Sequence, residues 1–524
     1  MTPNNKSQEQ ISELRAAVLK LRPYFVRAFG FSVVGALLML TPSVYMLEVY
    51  DRVINSRSYM TLAMLTLAVI LAYIVMEVLD WARASVMHEA GNELDRTLHP
   101  RLFNLAFDAN LRRIPGGSPQ VMHDLKTVRE ILSAPPVLAV MELPVILVYV
   151  ALIFWMNALL GWAAVFGAVV QVIITWFNER ATRPPLMMAN MASVSAQQYA
   201  DGALRNAQVI ESMGMFKNIH RHWMQRQRAV LTMQAIASDK AGGFMAMGKA
   251  WQLVISSALL GLGCLVFMRG ELNGGAGMMI MASIIGSRVL TPLLQIVGQW
   301  QLIVNARTSW QRLDDLLSSI PPRPATMPLP EAKGRLVVEP LVAFAPNTQS
   351  QILRGVTFDL QPGDVLAVVG PSACGKTTLA RLLVGLWPSM AGKVRLDGVD
   401  IHQWNKAELG PQIGYLPQNV QLFDGTIAEN IARFGRIDMK KVEAAARAVG
   451  LHELIVALPD GYDSDVGREG AILSGGQRQR IGLARAIYGD PVFVVLDEPN
   501  SSLDEQGDAA LADAILQMKA LGTT

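Results

Sequence analysis

Cysteine is almost absent from the 524 residues: Cys264 lies inside an apolar run and Cys374 in a glycine-rich loop. Two separated thiols exclude a disulfide framework and a thiolate metal cluster. Charge is scarce too, at 17% of residues against 51% hydrophobic, with a mean hydropathy of +0.29. A wholly soluble chain of this size is not so apolar, so a membrane part is implied. The net charge of +3 is spread along the chain, without the basic face or tail that a nucleic-acid partner requires. The polar N-terminus (Asn4, Lys6, Glu9, Glu13, Arg15) has no short apolar core followed by small residues. A cleaved signal peptide is therefore not expected, and insertion falls to the spans themselves.

What is abundant is long apolar sequence. Runs recur at Ala28 to Leu47, Thr61 to Met76, Val137 to Trp155, Leu159 to Phe177, Ala250 to Met268 and Met278 to Ile303. Each reaches or approaches the roughly 20 residues that a helix needs to cross a bilayer core. Six spans in contact with the lipid bilayer are expected. Lys and Arg, including Arg83, Arg96, Arg112, Arg129, Arg180, Arg205, Lys217 and Arg226, crowd the segments before the first span, between the second and third, and between the fourth and fifth. The opposite loops hold only Arg52, Arg57 and Arg269. Positive loops stay cytoplasmic, so both termini are expected there. Two long loops, Asp80 to Ala134 and Asn178 to Gly248, read as amphipathic helix. In the sixth span Arg288, Thr291, Gln295 and Gln299 fall at helical spacing. That polar stripe reads either as a lining of a transport path or as packing, for example an ion pair with Glu142.

The pattern breaks at Ile320-Pro-Pro-Arg-Pro-Ala-Thr-Met-Pro-Leu-Pro330, where prolines lacking backbone donors stop a helix. The chain divides accordingly into a cytoplasmic N-terminal segment (1–27), a transmembrane domain (28–315), a proline-rich linker (316–334) and a second domain (335–524). In the second domain β-branched runs, Val365 to Val369 and Val492 to Leu496, alternate with helical stretches at Thr377 to Leu386 and Glu443 to Ala448. This predicts an α/β domain with a largely parallel sheet.

Gly370-Pro371-Ser372-Ala373-Cys374-Gly375-Lys376-Thr377, followed by Thr378, matches the phosphate-binding loop pattern between an expected strand and an expected helix. The glycines let backbone N–H groups wrap phosphates, Lys376 reaches the β and γ phosphates, and Thr377 can ligate Mg²⁺. The apolar run Val492 to Leu496 ends in Asp497 and Glu498. Asp497 suits Mg²⁺, and Glu498 suits orientation or deprotonation of an attacking water. ATP and Mg²⁺ are the expected ligands.

Between these motifs stands Leu473-Ser474-Gly475-Gly476-Gln477, and here the chain resembles the ABC ATPase family. The resemblance implies that Ser474 and Gly476, with Gly475 and Gln477 beside them, bind ATP held by a second copy's phosphate loop, so hydrolysis requires a dimer. Gln418, in Tyr415-Leu-Pro-Gln418, fits the loop that senses the γ phosphate and contributes to the metal and catalytic site. Asp504, in Ser501-Ser-Leu-Asp504, fits the loop that crosses the dimer seam. Phe344 is the candidate for stacking on adenine. The family continues past the position of Thr524 to a further strand and a switch histidine that no residue here matches. A truncated sequence or an impaired ATPase is the expectation that follows.

Six helices before one cassette resemble a bacterial ABC exporter half-transporter: an α-helical six-span transmembrane domain of the exporter type followed by an α/β P-loop ATP-binding cassette. The resemblance implies a homodimer in the inner membrane, with coupling helices near Ile114 to Gln120 and Gly202 to Ala207. Met46 to Arg57, Glu211-Ser-Met-Gly-Met215 and Met327-Pro-Leu-Pro330 with Gly334-Arg-Leu336 are similar to type I secretion ABC transporters of the PrtD-like, protease-secreting kind. That implies export of an unfolded polypeptide with a C-terminal signal, through a membrane fusion (adaptor) protein and an outer-membrane channel. The first span begins near Ala28, so a peptidase-like N-terminal domain and leader cleavage are not expected. Tyr50-Asp51-Arg52 also reads as a simple membrane-edge anchor. Two other readings stay open: an exporter of lipid or small molecules without an adaptor, and a nucleotide-gated scaffold or channel.

Overall fold

The computed structural model describes residues 12–111, 118–272, 275, 277–321, 329–344, 350–467, 470 and 472–524, with Asp51 by its backbone alone. The chain forms two compact units, Met1–Pro321 and Pro322–Thr524.

Among the described residues of the first unit, six helical segments are long and apolar enough to cross a membrane: Arg22–Glu48, Tyr59–Leu111, Gln120–Met156, Ala158–Arg205, Phe216–Met268 and Gly277–Gly298. The second and fifth are 53 residues each. At 1.5 Å per residue that is about 80 Å, far more than a hydrocarbon core of about 30 Å. The polar stretches expected as helical loops are thus continuations of the spans. One residue, Asn157, separates the third span from the fourth. Its extended backbone ends one helix, and its side chain accepts from the Leu159 N–H at 2.8 Å to begin the next.

Helix Trp300–Ser319 follows the sixth span. The run expected as one span from Met278 to Ile303 is broken at Gln299, whose φ of −111° and ψ of 19° leave the helical region. Gly298, a poor helix former, precedes the break. Trp300–Ser319 also runs into the expected linker and stops at Ile320, just before Pro321. Residues 322–328 of that linker lie outside the described residues, as do 114–117 of the expected coupling segment at Ile114 to Gln120. The other expected coupling segment, Gly202 to Ala207, is a break: Ala158–Arg205 ends, the Asn206 side chain donates to the Gly202 carbonyl at 2.9 Å, and Ala207–Ser212 begins. Gly214 then takes a left-handed turn, with φ of 63°, where a Cβ would be strained.

Two large cores, with a small third one at Leu186, Ala237 and Val304, hold the described residues of this unit together. One packs Tyr149, Ile153, Leu259, Ile285 and Val289 between the spans. The other packs Leu14 of the N-terminal helix with Leu98, Leu102, Leu125, Leu313 and Leu316. Each leucine buried this fully is worth about 1.5–3 kcal/mol. Into the second core Asp124 is inserted, 2% exposed. It accepts from Arg312 Nε at 2.8 Å and from the Ser309 hydroxyl at 3.0 Å, tying Gln120–Leu132 to Trp300–Ser319. The Asp124 hydrogen bond holds the Arg312 guanidinium above its ordinary pKa.

The second unit carries an antiparallel sheet in the order β2-β1-β3-β4: β1 Leu336–Phe344, β2 Gln351–Leu360, β3 Val394–Leu396 and β4 Val399–Asp400. A separate parallel pair joins β5 (Ile413–Leu416) to β6 (Phe493–Leu496). The largely parallel sheet expected from the sequence is therefore confined to these two strands among the described residues. Val365 to Val369, expected as a strand, pairs with none of the described strands. It lines a cavity of about 520 Å³ together with Phe493, Val495 and Leu496. β-Branched composition suits a pleated surface, but a strand also requires a hydrogen-bonded neighbour, and none of the described strands pairs with this run. The Arg433 guanidinium fastens β5 to the helix Gly475–Ile487 by donating to the carbonyls of Gly410, Ile413, Arg485 and Ala486.

Candidate functional site: the phosphate loop and its acidic strand

The phosphate loop ends at the N-terminus of the helix Lys376–Leu383, whose first N–H groups have no partner within the helix and suit an anion. The loop needs Gly375 for two reasons. Its φ is +106°, and a Cβ there would stand 2.7 Å from Ile352 Cγ2. Ala373 also takes a left-handed conformation, with φ of 65°. Pro371, Ser372, Cys374 and Thr378 complete the loop and first helical turn; the Cys374 thiol is exposed. A Cβ on Gly370 would meet Cys374 Sγ at 2.8 Å, so the loop closes tightly on itself.

Lys376 Nζ donates to the Gly370 carbonyl at 2.6 Å, folding the ammonium back over the loop where phosphates would lie. Thr377 Oγ1 donates to Asp497 Oδ1 at 3.3 Å. This brings the loop to the end of β6. Asp497 is 5% exposed, and its Oδ2 is buried with no hydrogen-bond partner. An orphaned carboxylate oxygen is costly to bury. Beside the Thr377 hydroxyl it forms a hard-oxygen donor pair of the kind Mg²⁺ accepts, with phosphate and water supplying the remaining ligands. Among the described residues no cluster of three or more His, Cys, Asp or Glu could cage a metal alone. Burial pushes the Tyr415 hydroxyl above its ordinary pKa, and the neighbouring Asp497 carboxylate adds to that.

Gln418 Nε2 donates to Glu498 Oε2 at 2.7 Å. Glu498 holds φ at 53°, rare for a residue with a Cβ. The sequence gives no hint of what holds it there: Gln479, 4% exposed, donates through Nε2 to the carbonyls of Glu498 at 3.2 Å and Pro499 at 2.9 Å. Gln477, Arg478, Arg480 and Arg485 stand on the same helix, so one more polar residue there carries no signal of its own.

The remaining expected residues form a second locus. Ser474 caps the helix Gly475–Ile487: its hydroxyl accepts from the Gln477 N–H at 3.2 Å, and Gln477 Oε1 accepts from the Ser474 N–H at 2.9 Å. A Cβ on Gly476 would meet the Ser502 carbonyl at 3.0 Å, so the loop before Asp504 packs directly on the helix start. Asp504 caps the final helix, Glu505–Ala520, by accepting from the Gly507 N–H at 2.9 Å, and it pairs with Arg480. That N–H, with Arg480, holds the Asp504 carboxyl below the usual range. Among the described residues, Ser474 and Gln477 share no hydrogen bond with the phosphate loop of their own chain. Phe344 is the last residue of β1, half exposed, and the adjoining 345–349 lie outside the described residues.

The sequence pattern of the ABC transporter family matches residues 353–501, which span these motifs. The chain is 38% identical to the type I secretion system ATP-binding protein PrsD of Rhizobium meliloti (strain 1021), over 97% of this chain and 87% of that protein. It is 26% identical to the leukotoxin export ATP-binding protein LtxB of Aggregatibacter actinomycetemcomitans, over 94% of this chain and 70% of that one. The fold is shared with a bacterial Atm1-family ABC exporter solved with ATP bound, at a TM-score of 0.83 and 21% identity, covering 96% of this chain and 90% of that one.

Proposed function

This chain belongs to the type I secretion ABC transporters, and we propose that it couples ATP hydrolysis to export of an unfolded polypeptide carrying a C-terminal signal. ATP hydrolysis coupled to transport is the family's activity. The observation that carries the narrower reading is its similarity to a type I secretion ATP-binding protein along nearly the whole chain, membrane unit included. In this reading it is a homodimer in the bacterial inner membrane with both termini cytoplasmic. It works with a membrane fusion protein and an outer-membrane channel.

The site residues take roles that their geometry supports. Lys376 leaves the Gly370 carbonyl for the β and γ phosphates. Thr377 and Asp497 would hold Mg²⁺, with Gln418 near it, and the ion would neutralise charge developing on the transferred phosphoryl group. Glu498, positioned by Gln418 and Gln479, takes the proton of the attacking water. Ser474 and Gly476, at a capped helix start not bonded to their own phosphate loop, meet the ATP of the second copy.

The test is reconstitution of the full-length protein in proteoliposomes. C-terminal fragments of candidate cargo are expected to change its ATP turnover, and labelled lipid is expected to stay in its leaflet. ATP-dependent lipid movement with no response to any fragment would establish the lipid exporter instead.

A further inference from the structure

Inside the membrane unit, the sixth span turns Arg288, Thr291 and Gln295 into a cavity of about 310 Å³. Gln299, the fourth member of the expected stripe, lies past the end of that helix. Met39 of the first span, Asp80 and Arg83 of the second, and Glu142 and Tyr149 of the third form the facing walls. Glu142, a candidate partner of Arg288 by sequence, is committed elsewhere: Arg83 Nη1 binds its Oε1 at 2.7 Å, and Arg83 Nη2 binds Asp80 Oδ1 at 3.1 Å. Arg83 is 13% exposed and already has a buried Nε with no hydrogen-bond partner. Withdrawing Glu142 would strand it further.

The four charges sum to zero but are not paired two by two. One guanidinium between two carboxylates leaves an excess negative charge on one wall. Arg288 on another has no carboxylate within 4.0 Å among the described residues, and its recorded side-chain partner is the Met39 thioether at 3.6 Å, a weak acceptor. A guanidinium in a membrane span is costly unless it serves water, a partner or a ligand. Thr291 is already engaged, donating to the Ser287 carbonyl and accepting from Gln252. The free recognition group of this wall is therefore Arg288, with the exposed carboxamide of Gln295 one and a half to two turns further along the helix.

We propose that Arg288 receives a carboxylate of the polypeptide in transit, either an acidic side chain or the chain's own C-terminus. The cavity admits one side chain or chain end, not a folded element. The excess negative charge of the Asp80, Arg83 and Glu142 group on the facing wall repels a second acid, so the site selects an isolated carboxylate. This rests on the protein-export reading above.

The test uses the full-length protein in phosphatidylcholine nanodiscs and three fluorescent decapeptides of one sequence. One carries a single Glu and an amidated C-terminus, the second replaces Glu with Gln, and the third is the Gln peptide with a free C-terminal carboxylate. The Glu peptide, the free-carboxylate peptide or both are expected to bind about tenfold more tightly than the amidated Gln peptide, the scale of one charge-assisted hydrogen-bonded pair. Which of the two gains identifies the source of the carboxylate. Arg288→Gln should remove the preference, and Arg288→Lys should retain part of it. Glu142→Gln should strengthen it, because a repelling carboxylate is lost and Arg83 is freed.

Equal binding of all three peptides by the unaltered protein, or an Arg288→Gln variant that keeps the preference, overturns the proposal. So does weakened binding in Glu142→Gln, which would make Glu142 the partner of Arg288. Loss of the preference in phosphatidylglycerol nanodiscs would assign Arg288 to lipid phosphate and also overturn it. Continued cargo secretion by the Arg288→Gln variant separates failure of this site from failure of the export reading, which is tested on the unaltered protein.

Discussion

Gln418 donates to the Glu498 carboxylate at 2.7 Å, linking the loop after β5 to the acidic residue two positions past the end of β6. A single side-chain contact thus joins the expected γ-phosphate sensor to the expected base, so the base is oriented before any nucleotide arrives. Glu498→Gln is expected to lower ATP turnover by roughly 10²–10⁴-fold, the usual worth of a positioned general base, while ATP binding persists. Steady-state turnover beside nucleotide-binding fluorescence checks this, and normal turnover would remove Glu498 from the role.

Asp497→Asn removes one oxygen from a pair that includes a buried, unpartnered Oδ2. The Mg²⁺ concentration for half-maximal turnover should rise at least about tenfold, in line with loss of one ionic ligand contact. A metal titration at saturating ATP reads this. Chelation of Mg²⁺ should stop turnover in both proteins.

Gln479→Leu removes the two donations that hold Glu498 and Pro499. Because Gln479 acts through Glu498, its loss should lower kcat and leave KM for ATP nearly unchanged, with a stability cost of about 1–3 kcal/mol for the stranded carbonyls. An equal rise in KM would point to a general disturbance of the cassette instead.

Much of this site was legible in the sequence because its chemistry dictates residue type at short, fixed spacing. Gly375 must be glycine for its positive φ and its closeness to Ile352, and Lys376 and Thr377 must follow it at the helix start. Gln479 was not legible, since its partners Glu498 and Pro499 are about 20 residues away and bond through backbone carbonyls that no side-chain pattern marks. The membrane spans were legible in number from apolar length alone. Their ends were not: the break at Gln299 falls within a run whose apolar residues continue on both sides of it, and helices continue well past the apolar stretches as polar, amphipathic extensions. Val365 to Val369 reads as a strand by composition, yet strand formation depends on a neighbouring backbone. The commitment of Glu142 to Arg83 rather than Arg288 lies in three-dimensional proximity between spans.

Asp124 is buried against Arg312, which is 42% exposed at its side chain. Removing one partner of a fully buried pair costs about 3–5 kcal/mol, and solvent access to Arg312 reduces that for Asp124→Leu to roughly 2 kcal/mol. Thermal unfolding in detergent should show the loss, with Arg312→Met in the same chain restoring part of it.

The carboxyl of Asp504 is held below its ordinary value of 3.8 by the Gly507 N–H and Arg480. A depressed folded-state pKa stabilises above the unfolded value and fades as pH falls through the folded one. The cassette should therefore keep this contribution in full at neutral pH and lose it only below about pH 4. Asp504→Asn should flatten that acid limb, as measured by unfolding midpoints from pH 6 to pH 2.5.

The central claim is ATP-driven polypeptide export, and the most direct measurement is cargo in the medium. The full-length protein, a membrane fusion protein and an outer-membrane channel are expressed with a candidate protein carrying a C-terminal signal, against the same cells with Glu498→Gln. Cargo outside the cell only when Glu498 is intact is the predicted result. A folded, ATP-hydrolysing protein that leaves every such cargo inside would contradict it.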